Sequence, residues 1–168
     1  MRLTRFLRPE LVKLELETAP PAEVPEGWTA DRLLWHVKER VLEELVRLFA
    51  ASGRIGNLRK FSRDLLHRER KASTALGGGV AIPHVRTLQA KDFVFCFARS
   101  TAGVDFGAPD GAPVHFFFGL VAPPHDDRLY LEAYREIARV FTSEEAKARL
   151  AAARDEHELI RVLSVFGE

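Results

Sequence analysis

The segment GGGVAIPHVRT (77–87) sets one imidazole, His84, directly after a proline and behind three consecutive glycines. A neutral imidazole is a competent nucleophile near pH 7, because its reference pKa lies near 6.5. Pro83 fixes its own φ and lacks an N–H, so a strand must end or lie at an edge there. Gly77 to Gly79 let the backbone bend and approach a ligand, with free N–H groups able to face an anion. Arg68, in HRERKAST, stands sixteen residues earlier. Folded back beside His84, it would keep the free imidazole neutral and later balance a phosphate. Phosphoryl transfer to the imidazole is therefore one chemistry the residues allow. The glycines alone do not select it: a Walker loop also needs its GK[ST] ending.

The other candidates are weaker. The remaining histidines, His36, His67, His115, His125 and His157, form no HxxxH or HxH pair, and none has a nearby cysteine. No metal site and no cofactor are expected from such spacings. His36, His67 and His157 sit in charged helical stretches and read as solvated, while His115 reads as a strand residue satisfied within or beside the core. The single cysteine, Cys96, excludes an internal disulfide and reads as a buried thiol inside DFVFCFARS.

What must position His84 is legible in outline. The chain has 168 residues, 46% hydrophobic and 29% charged, which suits one domain with a real core. A formal net charge of +1 argues against a strong pull toward nucleic acid or an anionic membrane. The basic start MRLTRFLRPE lacks an apolar h-region and a small-residue cleavage site, and no stretch is long and apolar enough to span a bilayer. A cytoplasmic, reducing location is expected. LVKLELET (11–18) alternates apolar and polar residues and predicts a first strand, followed by a proline-rich connection; together they make up a 1–25 segment before a 26–168 core. Thr29 and Asp31 are both candidate caps of a long helix ended by Gly53, and a second amphipathic helix covers about 57–70. GVAIPH, DFVFCFARS and PVHFFFGLVA predict strands, with PDG (109–111) as a turn between the last two. Three helices close the chain: RLYLEAYREIARVF, EEAKARLAAA behind Ser143, and DEHELIRVLSVF. The order predicts a single α/β domain, a mixed β-sheet flanked by helices on both faces.

RERKASTALGGGVAIPHVRT closely resembles the active-site segment of type-2 IIA domains, the mannitol/fructose class of the phosphoenolpyruvate-dependent sugar phosphotransferase system. The matches are Arg68-Glu69, Ser73-Thr74, Gly77, Gly79 and Ala81-Ile82-Pro83-His84. Downstream, STAGVDFGAPDGAPVHFFFGLVAP is similar to the family's Gly-hydrophobic-Asp-Phe and Asp-Gly-x-Pro-Val segments, so the resemblance spans about 10–168. It implies the mannitol/fructose-type IIA fold and a phosphohistidine carrier. His84 would accept a phosphoryl group from an HPr-like carrier protein and pass it to a IIB component. Arg68 would stabilise the phosphate, Thr74 is a candidate hydroxyl in the pocket, and neither metal nor nucleotide is implied. Contact with a membrane would come only through IIB and IIC partners.

The sequence departs from that pattern in three places. Ala75 stands where a glycine is usual, and Val85 replaces the small residue after Pro-His. Counting back from IARVF puts Tyr130 where the family's second histidine opens a helix. Tyr130 could hydrogen-bond a phosphate, while His125, in the loop APPHDDRLY, is a second candidate disfavoured by Asp126 and Asp127 beside it. Three roles stay open: a sugar-transport carrier, a regulatory IIA-like protein that binds targets according to phosphorylation state, and a non-catalytic interaction domain of the same fold.

Overall fold

The computed structural model describes residues 2–167. Its elements are β1 (Val12–Lys13), α1 (Ala30–Ala50), α2 (Leu58–Lys71), β2 (Ala75–Gly77), β3 (Val80–Ala81), β4 (His84–Arg86), β5 (Val94–Val104), β6 (Val114–Ala122), α3 (Arg128–Phe141), α4 (Glu144–Ala152) and α5 (Glu156–Phe166). The sheet runs β1-β5-β6-β3-β2 in space, with β4 also pairing β6. It is mixed: β5 and β6 are antiparallel, whereas β3 and β4 both run parallel to β6.

β6 is the central strand and nearly all of HFFFGLVA is buried, as a strand covered on both faces should be. Side chains alternate along it. Phe118 joins Phe95, Ile137, Val140 and Leu163 on the face covered by α3 and α5. Gly119 faces α1 instead, where a Cβ would lie 2.6 Å from the Phe49 ring and 2.5 Å from Cys96 Sγ. Only glycine fits there. Helices therefore cover both faces, as the element order predicts. The Cys96 thiol is fully buried, and burial pushes its pKa up, out of the reactive range.

The expected strand over 11–18 shrinks to Val12–Lys13, preceded by short 3-10 turns at Leu3–Phe6 and Pro9–Leu11. Beyond Lys13 this edge segment is held largely by side chains. Glu44 accepts from the N–H groups of Glu17 and Thr18 and from the Thr18 hydroxyl, and Arg99 donates to the Leu14 carbonyl. One backbone bond continues the ladder, from the Leu16 N–H to the Arg99 carbonyl at 2.8 Å. Thr29, rather than Asp31, caps α1 through a 3.1 Å bond from the Arg32 N–H.

The predicted strand GVAIPH is two strands. β3 pairs with Phe116–Phe117 and β4 with Leu120–Ala122, and the chain breaks between them at Ile82–Pro83. Pro83 cannot donate, but its carbonyl accepts from the Leu120 N–H at 3.0 Å. The break keeps the direction of the strand, and that one carbonyl bond bridges it. His84 then opens β4, half-exposed at the sheet's edge.

Candidate active site

Backbone geometry fixes the His84 ring first. Nδ1 lies 2.6 Å from the Ile82 carbonyl, which can only accept, so Nδ1 carries the proton and Nε2 the lone pair. A backbone carbonyl thus fixes the tautomer. The Ile82 peptide is itself held, its N–H donating to the Thr74 carbonyl at 2.9 Å.

The Tyr134 hydroxyl lies 2.8 Å from Nδ1 and 2.9 Å from Nε2. An oxygen nearly equidistant from the two ring nitrogens lies over the ring rather than on the Nε2 axis, so the Nε2 lone pair stays open toward the cleft with the hydroxyl poised beside it. Burial pushes the Tyr134 pKa up to about 12, so the phenol stays a donor near neutral pH. Burial likewise depresses the His84 pKa below 6.5, with the charges of Arg68 and Arg86 adding to the effect against opposing contributions from the Ile82 bond and Glu69. The site therefore holds a neutral imidazole with one directed lone pair. In a 15N titration of the histidine rings, His84 should be mainly the neutral Nδ1-protonated form at pH 6.5, with its midpoint below that pH. A midpoint at or above 6.5 would show that the ring is more solvated than its burial implies.

His84 opens into a cleft of about 800 Å³ shared with α2, whose wall carries Lys60, Arg63, His67, Arg68 and Lys71. Asp64 is the acid among the lining residues, and it accepts from the Thr87 hydroxyl at 2.6 Å. Net positive charge around a neutral nucleophile suits an anionic reactant. Arg68 spends one N–H on the Ala72 carbonyl at 2.9 Å, leaving the rest of its fork available. The structure brings His84, Arg68 and Tyr130 into this one cleft, with the Tyr130 ring centre 5.6 Å from that of His84. His125 is exposed on the neighbouring loop and is not among the lining residues.

Two expectations need correction. The glycine triplet does not face His84. Gly77, Gly78 and Gly79 all have positive φ and form the tight turn from β2 to β3, and Val80 just past them is already four residues from His84 along β6. At roughly 3.3 Å per residue that is about 13 Å away. The Gly78 N–H is taken by Asp110 at 2.8 Å, and the Gly79 carbonyl accepts from His115 and Phe116. Thr74 is buried, and its hydroxyl donates to Glu69 Oε2 at 2.6 Å rather than into the cleft.

Sequence reasoning passed over Tyr134 and Glu69. Tyr130 and Tyr134 are four apart and so share one face of α3, a signal available in RLYLEAYREI. Glu69 was part of the Arg-Glu match, but nothing in the chain order says that it turns inward while Arg68 turns toward His84.

The family model for "Phosphoenolpyruvate-dependent sugar phosphotransferase system, EIIA 2" matches residues 32–165. A nitrogen regulatory protein of Bradyrhizobium diazoefficiens is 35% identical over 128 residues, covering 76% of this chain and 83% of that protein. The PTS system fructose-specific EIIABC component of Bacillus subtilis is 27% identical over 164 residues, which is 98% of this chain but only 23% of that longer protein. Among solved structures, nitrogen regulatory protein IIA-Ntr from Neisseria meningitidis superposes with a TM-score of 0.78 at 26% identity, covering 97% of this chain and 99% of that one.

Proposed function

The chain belongs to the phosphoenolpyruvate-dependent sugar phosphotransferase system EIIA 2 family, and from that membership we propose that it is a cytoplasmic phosphohistidine carrier acting through His84 Nε2. The observation that carries this reading is a fixed tautomer facing a basic cleft: Nδ1–H on the Ile82 carbonyl leaves Nε2 as the nucleophile, beside Arg68 and the cations of α2. The Nε2 lone pair attacks the phosphorus of a donor phosphohistidine. The donor N–P bond breaks, its electron pair returns to the donor ring, and an N–P bond forms at His84. No proton need leave Nε2, since it carries none. Transfer to a IIB component reverses these roles.

Arg68 and the basic face of α2 offset the phosphoryl charge, and the Tyr134 hydroxyl, poised beside Nε2, donates to a phosphoryl oxygen. Positioning and charge balance supply most of the rate enhancement. The cleft is flanked by apolar surface, with Leu88 86% exposed on its rim and Leu131 60% exposed beside Tyr130. Such a rim suits a protein donor or acceptor rather than a small substrate. Incubation with phosphoenolpyruvate, Enzyme I and an HPr-like carrier should add one phosphoryl group, labile to acid and stable to base, by intact mass. No gain would overturn the carrier reading and favour an interaction domain of the same fold.

The two tyrosines separate by their hydroxyls. Tyr134→Phe removes the hydroxyl poised beside Nε2 and should slow phosphoryl uptake about 100-fold, as loss of a transition-state donor does. Tyr130→Phe should slow it by less than about threefold, because its contact with His84 is an edge-to-face ring contact rather than a hydroxyl bond. Rapid-quench transfer from the labelled carrier measures both. The reverse order would give Tyr130 the role of phosphate donor.

A further inference from the structure

Among the described residues, four of the five α-helices begin with a side-chain cap: Thr29, Asn57, Ser143 and Asp155 each accept from a backbone N–H three residues on. α3 is the exception. Its N-cap position holds Asp127, a good capping residue, yet the backbone there is helical (φ −86°, ψ −29°) and the carboxylate accepts no cap bond. Only Asp126 stands in, with Oδ1 a long 3.4 Å from the Leu129 N–H. The Asp127 carboxylate is engaged elsewhere, in an ion pair with Arg86.

Arg86 is two residues past His84 on β4, so both side chains leave the same face of the strand, with Val85 buried between them. Its guanidinium lies 5.7 Å from the centre of the Tyr130 ring and lines the His84 cleft. Its charge already acts on the imidazole.

We propose that Arg86 and Asp127 form a latch that reads the phosphorylation state of His84. The inference rests on His84 being the phosphorylated residue. The ion pair is exposed, 47% at Arg86 and 66% at Asp127, and such pairs are weakly held. A phosphoryl group on Nε2 offers Arg86 a dianion and a stronger, bidentate partner. Arg86 moves to it. Asp127, now unpaired beside a dianion, is repelled toward the N-terminus of α3, which Asp126 caps only through its long bond and where the helix dipole favours a carboxylate. The exchange re-forms the 123–130 surface around Tyr130 and Leu131 and gives the two phosphorylation states different faces. A protein partner could tell them apart there.

The test uses 15N-labelled full-length protein, phosphorylated by phosphoenolpyruvate, Enzyme I and an HPr-like carrier. Extent is followed by intact mass, and the Leu129 and Tyr130 amides by NMR. In the wild type these amides should shift, and their hydrogen exchange should slow about tenfold, on phosphorylation. In Asp127→Ala they should not respond. In Arg86→Gln they should sit at the capped position before phosphorylation, and uptake should be about tenfold slower for loss of a charge-assisted contact. Full phosphorylation with unmoved amides, or wild-type uptake by Arg86→Gln, overturns the latch alone. A wild type that gains no mass overturns the carrier reading and the latch with it.

Discussion

Alanine at His84 is expected to abolish phosphoryl uptake while the protein stays folded. The ring is half-exposed at the start of a short edge strand, so its removal creates no deep cavity. The backbone that holds it, from Thr74 through Ile82 to the Pro83–Leu120 bond, involves no atom of the imidazole. Two other histidines make this a demanding control. His67 lines the same cleft but is exposed on α2, with no hydrogen bond to fix its tautomer among those described. His115 is locked as His84 is, its Nδ1 lying 2.9 Å from the Ser100 carbonyl. However, it packs against Gly103, where a Cβ would lie 3.1 Å from Nε2, and it opens onto a different cleft beside Lys147. A locked tautomer is thus not sufficient; the lone pair must also face a basic, accessible cleft. His84→Ala should take up no label from the HPr-like carrier, with an unchanged circular dichroism spectrum. Label retained on the variant would move the chemistry to His67 or His115.

The parts legible in the sequence were those written in local signals. Helix ends followed caps and glycines, and Pro83 announced an irregular strand. The Pro-His block with Arg68 upstream picked out residues that the fold does bring into one cleft. What stayed hidden depended on which way a residue faces after distant segments meet. Glycines 77–79 look like part of the active-site loop because they are near His84 in sequence. A strand lying between them carries them to the far end of the site. Tyr130 satisfied the count from IARVF, yet one helical turn further on, Tyr134 is the residue whose hydroxyl reaches the imidazole. Thr74 reads as a pocket hydroxyl until its partner, Glu69, is seen to be buried beneath it.

That buried glutamate leads to the largest expected loss of stability. Lys38, in LLWHVKER, reads as one more charge on an amphipathic helix, but its side chain is only 2% exposed. It lies between the Trp35 and Phe106 rings, 4.8 and 4.6 Å from their centres, and its Nζ meets Glu69 Oε1 at 2.8 Å. Glu69 also accepts from the Thr74 N–H at 3.0 Å and from its hydroxyl. The bonds then run on from the Thr74 carbonyl to the Ile82 N–H, and from the Ile82 carbonyl to His84 Nδ1. Lys38→Met keeps most of the volume and removes the charge, leaving a carboxylate in the core with only Thr74 to satisfy it. Breaking a buried pair on one side costs about 3–5 kcal/mol, a large share of the roughly 5–15 kcal/mol that holds a domain together. Urea denaturation should show that loss. Adding Glu69→Gln should recover most of it, since a neutral amide can still accept from Thr74 without an uncompensated charge. A single variant within about 1 kcal/mol of wild type would mean that water reaches the pair. A double variant no better than the single would mean that Lys38 acts through its packing on Trp35 and Phe106 rather than through its charge.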